Sequence, residues 1–183
     1  MRSDFPRVVV FGDGAGISRI LTGLASHLRG EEHDRRHDLL TAIVASAAGV
    51  EEADSLVGHC ACVLPATENA GSVRRAHSEA LRRIINADVI VATVGIAGDL
   101  TEVRSVLKVG GMAATLAAVV MPRVFVAPAG RIAPLLPIYR RPPALASYFD
   151  RVLLDPGDTQ DPLSLARGIL ALVRPERRDA PAA

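Results

Sequence analysis

The chain has 183 residues, almost half of them apolar and only 3% aromatic, with 21 lysines and arginines against 20 acids and a net charge near +1. That length suits one continuous core rather than two domains, and the even charge balance excludes a broad field for drawing in nucleic acid or an anionic membrane. No apolar run reaches the roughly 18 residues of a membrane span, Met1 to Pro6 carries no export signal, and Cys60 and Cys62 stand too close together to staple a secreted fold. The expectation is a cytoplasmic protein without nucleic-acid or membrane partners.

Val8-Val9-Val10-Phe11 is a short apolar run that stops at glycine, as a fully buried strand would. Ile17, Ile20, Leu21, Leu24 and Leu28 follow at helical spacing. The opening therefore predicts strand, glycine turn, helix. Glu31 to Asp38 is densely charged and predicts a solvated loop before a second strand over Leu39 to Ala45. Cys60 to Leu64 predicts a third strand. From Ser72 to Asn86, a helix should bury Val73, Ala76, Ala80, Leu81, Ile84 and Ile85 and turn Arg74, Arg75, Arg82 and Arg83 to solvent.

Asp88 to Val94 predicts another buried strand, ending at the second glycine turn, Gly95-Ile96-Ala97-Gly98-Asp99. Val124 to Ala127 and Arg151 to Leu154 predict two more strands, the latter at a sheet edge. Asp161 then caps a helix with Pro162 in its first position and Leu165, Ile169, Leu172 and Val173 on its buried face. Apolar strands alternating with helices predict an α/β fold: a three-layer Rossmann-like open sheet, mostly parallel, with helices on both faces. Residues 1–174 should form a single domain and 175–183 a flexible tail.

In such sheets ligands bind beyond the carboxyl ends of the strands, where successive crossovers diverge. A glycine turn there lets main-chain N–H groups approach a phosphate, and the helix start adds partial positive charge. Gly12, Asp13, Gly14, Ala15, Gly16 and Ser18 are the candidates from the first turn, with Ser46 after the second strand and Gly95, Gly98 and Asp99 from the second turn. Arg74 at a helix start could grip the same anion. The second strand lacks the terminal acid that would hold the ribose of a nicotinamide cofactor, and the first turn lacks the Lys and Ser/Thr of a Walker loop. His59, Cys60 and Cys62 fall short of the four ligands of structural zinc, so no metal site is assigned.

VVVFGDGAGISRILTGL resembles the opening of the family that contains 2-phospho-L-lactate transferase and the bacterial gluconeogenesis factor, with Gly12, Gly14, Gly16, Gly23 and Leu24 on its pattern. LTAIVASAAG from Leu40 is similar to that family's second strand. EALRRIINADVIVATVGIAGDLTEVRSVLKVGGMAATL is similar to its A-D-x-I-V strand and following turn, and Val124 to Pro128 to the next strand. The resemblance implies a small phosphorylated or nucleotide ligand. Where the family carries V-A-D-D-G-G, with aspartates tied to metal and substrate handling, this chain has Ala45-Ser46-Ala47-Ala48-Gly49, and in the first turn Asp13 replaces a glycine and Ala15 a threonine.

The expected function is binding of a phosphate ester or nucleotide sugar by a non-catalytic sensor. The rivals are a diverged Mg²⁺-dependent transferase of phosphorus-containing groups, and a structural subunit that keeps only the fold. In that last reading the apolar stretch from Met112 to Met121 would pack against a second copy of the chain as a homodimer.

Overall fold

Each of the first apolar runs is too short and too β-branched to make a helix, and each is sealed from water along its whole length. Val8–Gly12 forms β1, Leu40–Val44 forms β2 and Val89–Thr93 forms β4, and every residue in them is buried. The computed structural model describes residues 5–12, 15–28, 33–44, 62–65, 78–79, 81–93, 122–128, 150–155 and 161–173. Cys62–Pro65 is β3, Arg123–Pro128 is β5 and Arg151–Asp155 is β6. The helices are α1, Ala15–His27, α2, His33–Leu39, and α3, Pro162–Val173; residues 81–85 form a further helical segment.

The six strands lie in the order β3-β2-β1-β4-β5-β6, and all five pairings are parallel. This is the doubly wound order, in which the chain builds outward from β1 to β3 on one side and from β4 to β6 on the other. Burial of strands on both faces explains why they read as continuous apolar runs rather than as alternating patterns. On one face Val8, Val10, Leu40, Ala42, Val89, Val91, Val124 and Val126 pack with Ile17, Ile20, Leu21, Leu24 and Leu28 of α1 and with Leu165, Ala166 and Ile169 of α3. On the other, Val9, Phe11, Ile43, Ile90, Ala92 and Phe125 are also buried, as is Ile84 from the 81–85 segment. Layers therefore cover both sides of an α/β sheet.

At the amino edge two aspartates repeat one device. Asp88, just before β4, accepts the Arg7 main-chain N–H at 2.7 Å while its own N–H donates to the Arg7 carbonyl at 2.8 Å. Asp150, just before β6, accepts the Arg123 N–H at 2.9 Å and donates its own to the Arg123 carbonyl at 2.7 Å. The Arg123 guanidinium closes on the same Asp150 carboxylate through Nε at 3.2 Å and Nη2 at 3.1 Å. Side-chain hydrogen bonding from Arg123 holds the Asp150 carboxyl below its ordinary range. Each pair pins neighbouring strands where parallel pairing begins, and so sets their register.

Three sequence expectations are corrected here. The charged run before β2 is the helix α2 rather than a loop: Asp34 sits in its first turn and Arg36 and His37 in its last, matching the helix dipole, and Leu39 is buried. Ile85, expected on a buried face, is 62% exposed. Arg83, expected in solvent, is largely covered and bonds to Glu79, to the His37 carbonyl and to Asp38. The α3 cap forms as expected, with the Asp161 carboxylate accepting the Leu163 N–H at 3.0 Å. Among the described residues no helix is long and apolar enough to cross a membrane.

Candidate functional site

The reversal of strand order falls between β1 and β4, and their carboxyl ends are Gly12 and Thr93. A β-carbon on Gly12 would stand 2.7 Å from Thr93 Cγ2 and 3.1 Å from the Thr93 carbonyl oxygen, with Ile17 Cβ at 3.6 Å. Glycine is required there because the strand end is pressed against its neighbour and against the first turns of α1. Thr93 is itself fixed, since its hydroxyl donates to the Val126 carbonyl at 3.0 Å. This buried bond ties β4 to β5 one residue beyond the hydrophobic rows. Together these contacts set the spacing of the ends of β1 and β4 and anchor them to Val126 of β5.

β1 ends at Gly12 and α1 opens at Ala15, three positions on. Gly12 closes β1, and Ala15, Gly16 and Ser18 lie in the first turn of α1, where Ser18 is half-buried. Asp13, Gly14, Ser46, Arg74, Gly95, Gly98 and Asp99 lie outside the described residues.

A charged pair that the sequence reading did not single out lies on the same side of the sheet. Arg19, one turn into α1, donates through Nε to Asp155 Oδ2 at 3.0 Å, and the two side chains are only 17% and 9% exposed. Asp155 ends β6, so the bond joins the helix after the first strand to the end of the last strand, 136 residues away. An ion pair this shielded is costly to break from one side, because the survivor is left as a buried charge. Its sequence signals were slight: an arginine interrupting the apolar positions Ile17, Ile20 and Leu21, and a single acid closing Val152-Leu153-Leu154.

Gly23 governs a second close approach. A β-carbon there would overlap the Pro162 carbonyl oxygen and lie 2.9 Å from the Pro162 carbonyl carbon and 3.2 Å from Ala166 Cβ. The absence of a side chain lets the second half of α1 touch the start of α3 backbone to backbone. Gly23, one of the positions that carries the family resemblance, therefore has a packing role.

Among the described residues no group of three or more His, Cys, Asp or Glu is gathered as a metal site. Comparison of the chain with family models, with curated proteins and with solved structures returns no match. The geometry itself defines an open parallel sheet with a glycine-ended first strand at the reversal of strand order.

Proposed function

We propose that the carboxyl edge of the sheet binds a phosphate ester or nucleotide sugar in the cytoplasm, and that the protein reports its ligand rather than converting it. The observation that supports this reading is the β1–Gly12–α1 unit at the reversal of strand order. In open parallel sheets ligands bind where the strand order reverses, and the start of a helix just after a glycine-ended strand offers main-chain donors to a negative group. In this reading Gly12, Asp13, Gly14, Ala15, Gly16 and Ser18 meet the anion, while Ser46, Arg74, Gly95, Gly98 and Asp99 complete the wall. Ala45-Ser46-Ala47-Ala48 stands where the resembling family carries its aspartates, which favours binding without turnover.

The test is a thermal-shift screen of nucleotides, nucleotide sugars, deazaflavins and phosphorylated acids, with and without Mg²⁺. A ligand held only by the native state stabilises it by about 2.7 kcal/mol at one hundred times its dissociation constant. For a domain of this size that is a rise of about 5–10 °C in melting temperature. The expected hit is independent of Mg²⁺, and the ligand is recovered intact by mass spectrometry. Consumption of the donor with strict Mg²⁺ dependence would replace the sensor by a transferase, and a screen without any hit would refute the ligand-binding reading.

A further inference from the structure

Arg19 and Gly23 stand one helical turn apart on α1, so they lie on one stripe of that helix. The stripe meets the last strand and the last helix among the described residues. Arg19 Nε donates to Asp155 Oδ2 at the end of β6 at 3.0 Å, and Gly23 admits the Pro162 carbonyl and Ala166 at the start of α3. β6 and α3 are also seated on each other, since a β-carbon on Gly168 would stand 3.7 Å from Leu153 Cδ1. One strand–helix pair therefore holds α1 from the side at two points.

Both points lie toward the end of α1 that faces the proposed ligand. At about 1.5 Å of rise per residue, Arg19 is about 6 Å along the axis from Ala15 and Gly23 about 12 Å. Arg19 is thus the nearer constraint on the helix start. β6 is the third neighbour of β1 in the sheet, about 14 Å away at the usual strand spacing, and the Arg19 side chain spans part of that gap. Because the two side chains are only 17% and 9% exposed, solvent screens their attraction little.

We infer that Arg19 and Asp155 are positioning residues for the carboxyl-edge site and that the β6–α3 unit regulates it: seating of this unit against α1 sets the affinity of the site, and bound ligand in turn tightens the unit. This role presupposes the ligand reading proposed above. Seating α1 fixes where the main-chain donors at its start are aimed, and a helix already in place loses less freedom on binding. Linkage makes the effect mutual, so a ligand that requires α1 in place strengthens the contacts that keep it there. The bound state then reaches α3 without any chemistry on the ligand.

Two measurements on the full-length chain separate this role from the ligand reading. The first is amide hydrogen exchange followed by NMR without ligand. By helix geometry the Arg19, Ile20 and Leu21 amides donate to the carbonyls of Ala15, Gly16 and Ile17, and the Ala166 amide to the Pro162 carbonyl that faces Gly23. Asp155→Asn should speed exchange at these amides at least tenfold while Val10 and Val91, buried in the sheet, change less than twofold. Arg19→Lys, which keeps the charge but not the Nε hydrogen bond, should give the same pattern at smaller size. Equal acceleration in α1 and in the sheet, or none in α1, would overturn the inference.

The second is calorimetric titration with UDP-glucose at a temperature where every variant is folded. Asp155→Asn should weaken binding at least threefold, and UDP-glucose should slow exchange at Ala166 in the wild type. The sign discriminates, because neutralising a carboxylate that lay beside the bound anion would tighten binding instead. Wild-type binding with unchanged or tighter affinity in the variant would overturn the regulatory role alone. A wild type that does not bind UDP-glucose would overturn it together with the ligand reading.

Discussion

Gly23→Ala and Gly168→Ala make the same chemical change in two helices and should move stability in opposite directions. In α3, a β-carbon on Gly168 would meet only Leu153 Cδ1 at 3.7 Å, an ordinary contact, so the gain in helix propensity is realised and the variant should be more stable by about 0.5–1 kcal/mol. In α1 the same propensity gain of about 1 kcal/mol is opposed by overlap with the Pro162 carbonyl and a 3.2 Å approach to Ala166 Cβ. The obstacle is backbone, which cannot rotate away as a side-chain tip can, so the cost falls at the upper end of the roughly 1–3 kcal/mol of overpacking. The net loss is about 2 kcal/mol, or about 4–8 °C in melting temperature for a domain of this size. Urea denaturation followed by circular dichroism measures both variants against wild type. Gly23→Ala at or above wild-type stability would refute the backbone-to-backbone crossing of α1 and α3.

Further outcomes follow from the same geometry. Gly12→Ala should cost about 1–3 kcal/mol in the same denaturation assay, and Thr93→Ser, which deletes the methyl 2.7 Å away but keeps the hydroxyl that reaches Val126, should restore part of that loss in the double variant. Arg19→Met should destabilise the fold by removing the shielded ion pair to Asp155, and in a double-mutant cycle with Asp155→Leu the two losses should be strongly non-additive; additive losses would contradict the pairing. Glu79 is lowered from 4.5 to about 2 by hydrogen bonds from Arg82 and Arg83. Because its folded value is depressed, its contribution is fully present above its unfolded pKa and disappears as pH falls from about 4.5 toward 2. Glu79→Gln should therefore flatten the acid limb of the stability profile over that window and leave the neutral region's slope unchanged.

Much of the fold is legible in the chain because its strands are sealed on both faces. Val8 to Phe11 and Val89 to Ala92 need no partner to be read as buried strands, and Asp161-Pro162 announces the start of α3 by local chemistry alone. The charged segment before β2 misleads for the opposite reason. Its helix has no apolar stripe, and it is held at its end by Leu39 and by Arg83 reaching the His37 carbonyl, a contact across 46 residues. Ile85 and Arg83 exchange their expected environments because helical spacing alone cannot say which flank of a short segment meets α2. The glycines of the first turn are visible as a motif, whereas the reason for Gly12 is not: it depends on Thr93, brought alongside only when β4 pairs with β1. Arg19 and Asp155 are likewise joined by topology rather than by any local pattern.

The hydrogen-bonded aspartates at the amino edge and the close contacts at the carboxyl edge divide the labour of the sheet. Asp88 and Asp150 fix where neighbouring strands begin, so the positions at which they end are set before any ligand arrives. A preorganised rim of this kind lowers the ordering cost of binding.

The proposed site receives a negatively charged small molecule where β1 and β4 end. A heteronuclear NMR titration of the full-length chain with UDP-glucose tests it residue by residue. Saturable shifts of the Gly12 and Thr93 backbone amides are expected while the side-chain signals of Arg7 and Asn86 stay in place. Still amides at Gly12 and Thr93, or perturbation confined to the amino edge, would contradict it.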